Sequence, residues 1–239
     1  MQLFYCKDIT PEGYCTLDAE ESRHAVRVLR LREGDEINVT DGRSNLYTCQ
    51  IVEANDKACC TQTLFTLHSP LSTPRFHLAV APTKNPSRME WLVEKAVEMG
   101  VAEITLLQCD HSERTFLKTE RLEKLAVSAM KQSLHLTLPR INPAVSLRDW
   151  LSVNNVSNVT TQRLIAHCEA DKPRTLLHEA LQAGQDAVVL IGPEGDFSHE
   201  EITLALEKGF SPVSFGSARL RTETAALYAT AAFNFINEK

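Results

Sequence analysis

Leu190-Ile191-Gly192-Pro193-Glu194-Gly195-Asp196-Phe197-Ser198 runs from an apolar, strand-like segment through a glycine-containing turn into a helix start. Phe215-Gly216-Ser217-Ala218-Arg219-Leu220-Arg221-Thr222-Glu223-Thr224-Ala225 has the same layout. Open α/β sheets build their ligand sites at strand-to-helix turns of this kind. The flanking sequence agrees with such a sheet. Arg163 to Ala166, Ala187 to Ile191 and Pro212 to Phe215 are short apolar runs, with helices expected near Leu176 to Leu181 and after each of the last two runs. Upstream, Phe76 to Ala81 reads as a strand, and Met89, Leu92, Val93, Ala96 and Val97 recur at helical spacing before Gly100 ends the pattern. Glu103 to Leu107 is the next strand; Leu122, Leu125, Ala126, Ala129 and Met130 repeat the helical spacing. The expected fold class is α/β, a mainly parallel sheet covered on both faces.

The first seventy residues differ. Asp18 or Ser22 can open a helix ending near Leu29; Asp35 to Thr40, Leu46 to Val52 and Ala58 to Leu67 then read as strands, with a hairpin turn at Asp41-Gly42. This predicts a small barrel or compact sheet. His68-Ser69-Pro70-Leu71-Ser72-Thr73-Pro74 resists both helix and central strand, which places the domain boundary there, between 1–72 and 73–239.

Composition narrows the function. A 239-residue chain with 43% hydrophobic residues can bury a full core. Residues 2 to 6 are followed by Lys7-Asp8, without the long apolar stretch of a signal peptide, and no apolar run approaches membrane-spanning length, so the cytoplasm is the expected location. Cys6, Cys15, Cys49, Cys59, Cys60, Cys109 and Cys168 form no C-x-x-C pair, which argues against a disulfide framework or zinc ribbon and for reduced, mostly packed thiols. No metal is expected. A net charge of −6 argues against a nonspecific nucleic-acid coat. Locally, however, Arg23, His24, Arg27, Arg30 and Arg32 form a basic stripe on an otherwise acidic N-terminal segment.

The two turns carry the chemistry. Gly192 and Gly195 let backbone N–H groups face a ligand, Pro193 stiffens the loop, and Ser198 to Glu201 has capping-box spacing; a plain strand-to-helix turn would suit the same residues. Without G-x-G-x-x-G or a P-loop, a nucleoside fits better than a dinucleotide or triphosphate. Arg219 and Arg221 stand at the start of a helix, where the dipole disfavours cations, and rule-breaking of this kind marks functional sites. Solvation, or pairing with Glu223, is the bland alternative. The helix that follows is apolar nearly all round and is expected to be buried, within its domain or against a second subunit. Leu164-Ile165-Ala166-His167-Cys168-Glu169 is a third strand that turns polar at its end; His111, His135, His178 and His199 read as surface or capping residues.

Gly-Pro-Glu-Gly at 192–195, Arg-Leu-Arg-Thr-Glu-Thr-Ala at 219–225, Lys84 to Gly100 and Ser22 to Asp35 together resemble the ribosomal RNA small subunit methyltransferase E family, of the SPOUT class, over essentially the whole chain. The resemblance implies a PUA-like β-barrel RNA-binding domain followed by a SPOUT-type, trefoil-knotted α/β domain. It also implies a homodimer that methylates N3 of one uridine in 16S rRNA of the small ribosomal subunit, with S-adenosyl-L-methionine as donor. The cofactor would lie against His167, Leu190, Ile191, Gly192, Pro193, Glu194, Gly195, Phe215, Gly216, Ala218 and Leu220. Arg221 and Glu223 match the polar pair beside the methyl group, Arg221 stabilising a uracil oxygen and Glu223 orienting it or accepting the proton. Arg23, His24, Arg27, Arg30, Arg32, Lys84 and Arg88 would hold phosphates of an RNA whose target base is unpaired or flipped out. Asp196 stands where a further glycine is common, and Leu134-His135 where a small residue and an arginine are expected. A SPOUT enzyme for another rRNA or tRNA site, or a noncatalytic RNA-binding assembly factor, are the alternative readings.

Overall fold

The computed structural model describes residues 2–69, 74–113, 118–153, 161–169 and 173–238. The boundary expected at 72/73 lies outside them. The chain folds as two compact units, Met1–Leu71 with Val127–Leu138 and Ser72–Ala126 with Pro139–Lys239.

In the first unit β1 (Leu3–Tyr5), β2 (Tyr14–Thr16), β3 (Glu36–Thr40), β4 (Asn45–Glu53) and β5 (Cys60–His68) form one sheet in the order β1-β3-β4-β5-β2. Only the β1–β3 pair is parallel. Helix α1 (Ala19–Arg23) opens on Asp18, whose carboxylate accepts the N–H groups of Glu20 and Glu21. Ser22 does different work: its hydroxyl donates to Leu17 O and accepts the N–H of Cys59, tying the helix to the sheet. The helix then widens into a π turn, His24–Val28, and ends as Leu31 N–H reaches Ala25 O at 3.0 Å with Arg30 at φ 59°. Phe4, Cys15, Leu17, Val39, Cys49, Ile51 and Cys59 fill the interior. Leu136 and Leu138 bond to the β3–β4 turn, through Leu136 O to Ser44 N–H and Leu138 N–H to Gly42 O.

The second unit carries β6 (Phe76–Val80), β7 (Glu103–Gln108), β8 (Arg140–Ser146), β9 (Gln162–Ala166), β10 (Thr175–Leu176), β11 (Ala187–Ile191) and β12 (Ser211–Ser214). They form an all-parallel sheet in the order β10-β12-β9-β11-β6-β7-β8. Helices α2 (Pro86–Glu98) and α7 (Thr222–Asn237) pack together on one face; α4 (Leu147–Val153) and α6 (His199–Glu207) pack together elsewhere, around a core of Leu107, Trp150, Ile165, Leu190, Phe197 and Phe210. The remaining helices are α3 (Thr119–Gln132) and the single turn α5 (Leu177–Ala180).

Local chemistry explains the boundaries. Asn85 caps α2 with Pro86 behind it, the apolar positions named from the sequence are all buried, and Gly100 at φ 78° closes the helix. Ser198 and Glu201 make the reciprocal capping box at the head of α6. Helix α7 is covered only in part within the chain: Thr222, Ala225, Ala226, Ala229 and Phe233 are buried, but Phe235 is 82% exposed and Tyr228 45%.

Candidate functional site

Strands β12, β9 and β11 are neighbours, so the segments leaving their C-terminal ends meet on one rim of the sheet. They enclose a pocket of about 480 Å³ lined by Ala166 to Cys168, Arg174, Ile191 to Asp196, Val213 to Gly216 and Ala218 to Thr222, with Ala225. Ligand sites of open parallel sheets occupy this position.

Four hydrogen bonds hold the rim. Asp196, in the left-handed region at φ 64°, accepts the N–H of Cys168 at 2.6 Å and of Phe197 at 2.8 Å. Thr222 donates to Gly192 O at 3.1 Å, fixing the start of α7 to the turn after β11. Arg174 Nη1 donates to His167 O at 2.6 Å, fixing the end of β9. A network behind the turn adds support: buried Glu201 accepts the N–H groups of Ser198 and Asp110, and Ser198 Oγ bonds to Asp110 Oδ2 at 2.6 Å. Those contacts, with Arg148 2.9 Å away, hold the Asp110 carboxyl below the usual carboxylate range. His111, read from sequence as a surface or capping residue, caps this turn, with Nδ1 3.1 Å from the carbonyl oxygens of Gly195 and Asp196.

Most of the residues expected at a cofactor lie on the pocket wall: His167, Ile191, Gly192, Pro193, Glu194, Gly195, Phe215, Gly216, Ala218 and Leu220, with Arg221 beside them. Tyr228 stacks against Phe215 with ring centroids 5.3 Å apart. Leu190 is a correction: it is wholly buried in the core, because alternate residues of a strand face opposite ways. Glu223 is a second: it is buried, lies off the pocket wall, and sets Oε1 3.6 Å from Arg88 Nε rather than against Arg221. Its Oε2 has no hydrogen-bond partner among the described residues. Sequence reasoning missed Arg174 and the roles of Asp196 and Thr222. Only the positive φ at Asp196, signalled by the glycine common at that position, left any trace.

The basic residues divide between the units. Arg23, Arg27, Arg30 and Arg32 are exposed in the first unit; Arg27 Nε bonds to Asp56 at 2.7 Å, and His24 is half-buried against the Phe4 ring. Lys84 and Arg88 lie in the second unit, Lys84 paired with Glu113 at 2.6 Å and Arg88 with Glu223. Among the described residues no group of His, Cys, Asp and Glu could hold a metal ion.

The pocket's walls suit S-adenosylmethionine. Phe215, Leu220 and Ala218 offer apolar surface and the glycines offer backbone. At Gly216, with φ 104°, no atom lies within 4 Å of where a Cβ would stand, so the backbone there borders open space.

Comparison with known proteins agrees with this geometry. Residues 70–234 match the family described as RNA methyltransferase domain, and residues 17–64 the RNA methyltransferase PUA domain. Ribosomal RNA small subunit methyltransferase E of Synechocystis sp. is 32% identical, over 95% of this chain and 75% of its own. The Buchnera aphidicola protein of the same name is 29% identical over 90% and 85%. A Porphyromonas gingivalis structure described as a probable rRNA-methyltransferase superposes with TM-score 0.90 at 40% identity, over 99% and 98% of the two chains. Ribosomal RNA small subunit methyltransferase E of Neisseria gonorrhoeae, solved with S-adenosyl methionine bound, gives TM-score 0.80 at 26% identity over 99% and 98%.

Proposed function

Because the chain belongs to the ribosomal RNA small subunit methyltransferase E family, we propose that it methylates N3 of a specific uridine in 16S rRNA with S-adenosyl-L-methionine as donor. The observation that carries this reading is the pocket at the ends of β9, β11 and β12, which presents glycine backbone, apolar walls and Arg221 together.

Bound S-adenosylmethionine would supply an already electrophilic methyl group on its sulfonium. The protein's task is then alignment and management of one proton. Arg221 is the N-cap residue of α7, exposed on the pocket wall, and pairs with no carboxylate among the described residues. Its guanidinium is available to a uracil carbonyl oxygen as negative charge develops there. Glu223, buried and off the pocket wall, holds Arg88 in this reading, and the N3 proton is lost to water.

Arg23, Arg27, Arg30 and Arg32 bind RNA phosphates in this reading, through a PUA-like domain 1–72, with 73–239 as the knotted methyltransferase domain. Exposed Trp91 on α2 and Tyr228 and Phe235 on α7 support a homodimer. The target base must leave its stack to be reached. A cytoplasmic location follows from the substrate, and among the described residues no helix is long and apolar enough to cross a membrane.

The test is transfer of a tritiated methyl group to 30S subunits, free 16S rRNA and tRNA from cells lacking the modification. Label on a uridine N3 of 16S rRNA is expected, and label confined to tRNA would overturn the proposal. In the same assay Arg221→Ala abolishes transfer while calorimetry shows cofactor affinity within about twofold of wild type.

A further inference from the structure

Arg174 stands immediately before β10, half-buried on the wall of the pocket, and the sequence gives no sign that it belongs there. Its Nη1 donates to His167 O at 2.6 Å. That short charge-assisted bond fixes the guanidinium against the end of β9 and leaves its other N–H donors uncommitted. No carboxylate pairs with it among the described residues.

The two carboxylates on the wall bond to backbone and, among the described residues, pair with no guanidinium. Asp196 is occupied by the N–H groups of Cys168 and Phe197, and Glu194 Oε1 accepts the N–H of Lys84 at 3.0 Å. The wall therefore presents guanidiniums that its own carboxylates do not neutralise, an arrangement suited to a ligand with an anionic group. The guanidiniums are not equivalent. Arg219 and Arg221 are exposed and belong to the segment entering α7, which Thr222 anchors at the β11 side through Gly192 O. Arg174 is anchored at the β9 side and is less exposed, so it offers a planar donor fork in a fixed place, the geometry that matches a carboxylate.

We propose that Arg174 binds the α-carboxylate of the methionine arm of S-adenosylmethionine. It thereby sets the position of the arm within the pocket and leaves Arg221 for the acceptor base. This inference rests on the cofactor reading above and adds a specificity residue to it: the pocket recognises the amino-acid arm as well as the nucleoside.

Calorimetry on the full chain separates the two levels. S-adenosylhomocysteine carries the arm and its carboxylate, and 5′-methylthioadenosine carries the nucleoside thioether without it. Arg174→Gln is expected to weaken S-adenosylhomocysteine roughly 10- to 100-fold and to leave 5′-methylthioadenosine unchanged. Arg174→Lys, which keeps the charge and loses the fork, should fall between. The wild-type protein should also prefer S-adenosylhomocysteine over its neutral carboxamide by a similar factor. Equal losses for both ligands, or no loss for either, would overturn the role of Arg174 and leave the cofactor assignment standing. A wild-type protein that binds neither ligand overturns the cofactor assignment itself.

Discussion

Asp196 accepts the backbone N–H of Cys168 through Oδ2 at 2.6 Å, which joins the turn after β11 to the end of β9 across the mouth of the pocket. The residue does this from φ 64°, a conformation that costs a side chain about 1 kcal/mol relative to glycine. Hydrogen bonds to its carboxylate from Cys168 and Phe197 contribute more, about 1.5–3 kcal/mol for a charged acceptor. Asp196→Gly should therefore lower stability by about 1 kcal/mol although it relieves the backbone, and Asp196→Ala, which loses the bonds and keeps the strain, by about 2 kcal/mol. Chemical denaturation gives both values. A glycine variant more stable than wild type would show that the Cys168 bond contributes less than the strain.

Gly195 is constrained by what lies behind it. A Cβ there would stand 3.0 Å from the Cβ of His111, whose ring is bonded to the carbonyl oxygens of Gly195 and Asp196. Neither backbone can retreat without losing those bonds. Gly195→Ala is expected to cost about 1–3 kcal/mol and to weaken cofactor binding at least tenfold by calorimetry. Gly34→Ala serves as a control of the opposite kind: its φ of 92° strains a side chain but nothing lies within 4 Å, so it should lose some stability and leave cofactor affinity unchanged.

The βα rhythm of the second unit was legible because each signal was local. Helical spacing from Met89 to Val97, the stop at Gly100 and the capping box at Ser198 each predict a feature that forms where expected. Elements lacking a local signal escaped: β1 has three residues, β10 two, and β8 carries Pro143 in its interior at the edge of the sheet. Convergence of the strand ends could be anticipated, since parallel neighbours bring equivalent ends together. Side-chain partners could not. Nothing local says that Glu223 turns to Arg88, or that Arg174 reaches His167. The departures at Asp196 and Leu134 acquire a physical meaning, because both residues hold positive φ, where a glycine would be unstrained.

Asp110 gives the site's support an acid limit. Ser198 Oγ donates to its carboxylate and Arg148 lies beside it, and together they depress its pKa below the unfolded value near 3.9. A depressed carboxylate contributes stability that is complete above the unfolded pKa and lost as pH falls through the folded one. Asp110→Asn should therefore be less stable than wild type at pH 7, by no more than about 1 kcal/mol after solvent screening, and the difference should shrink below about pH 4. Urea melts of both proteins between pH 3 and 7 measure it; a difference independent of pH would assign the effect to packing.

Arg30 separates binding from stability in the first unit. It occupies the position after the end of the π turn at φ 59°, where glycine is the unstrained choice, and its exposed side chain has no carboxylate partner among the described residues. Arg30→Gly should raise stability by up to about 1 kcal/mol. If Arg30 holds a phosphate, the same change weakens RNA binding and lowers the slope of log affinity against log salt by about 0.7–0.9. Arg27 differs, because Asp56 already engages it at 2.7 Å, so its alanine variant should lose a smaller part of the slope. Filter binding to 16S rRNA across a salt series reads both. Greater stability with an unchanged slope would remove Arg30 from the RNA surface and leave its strained backbone without a functional explanation.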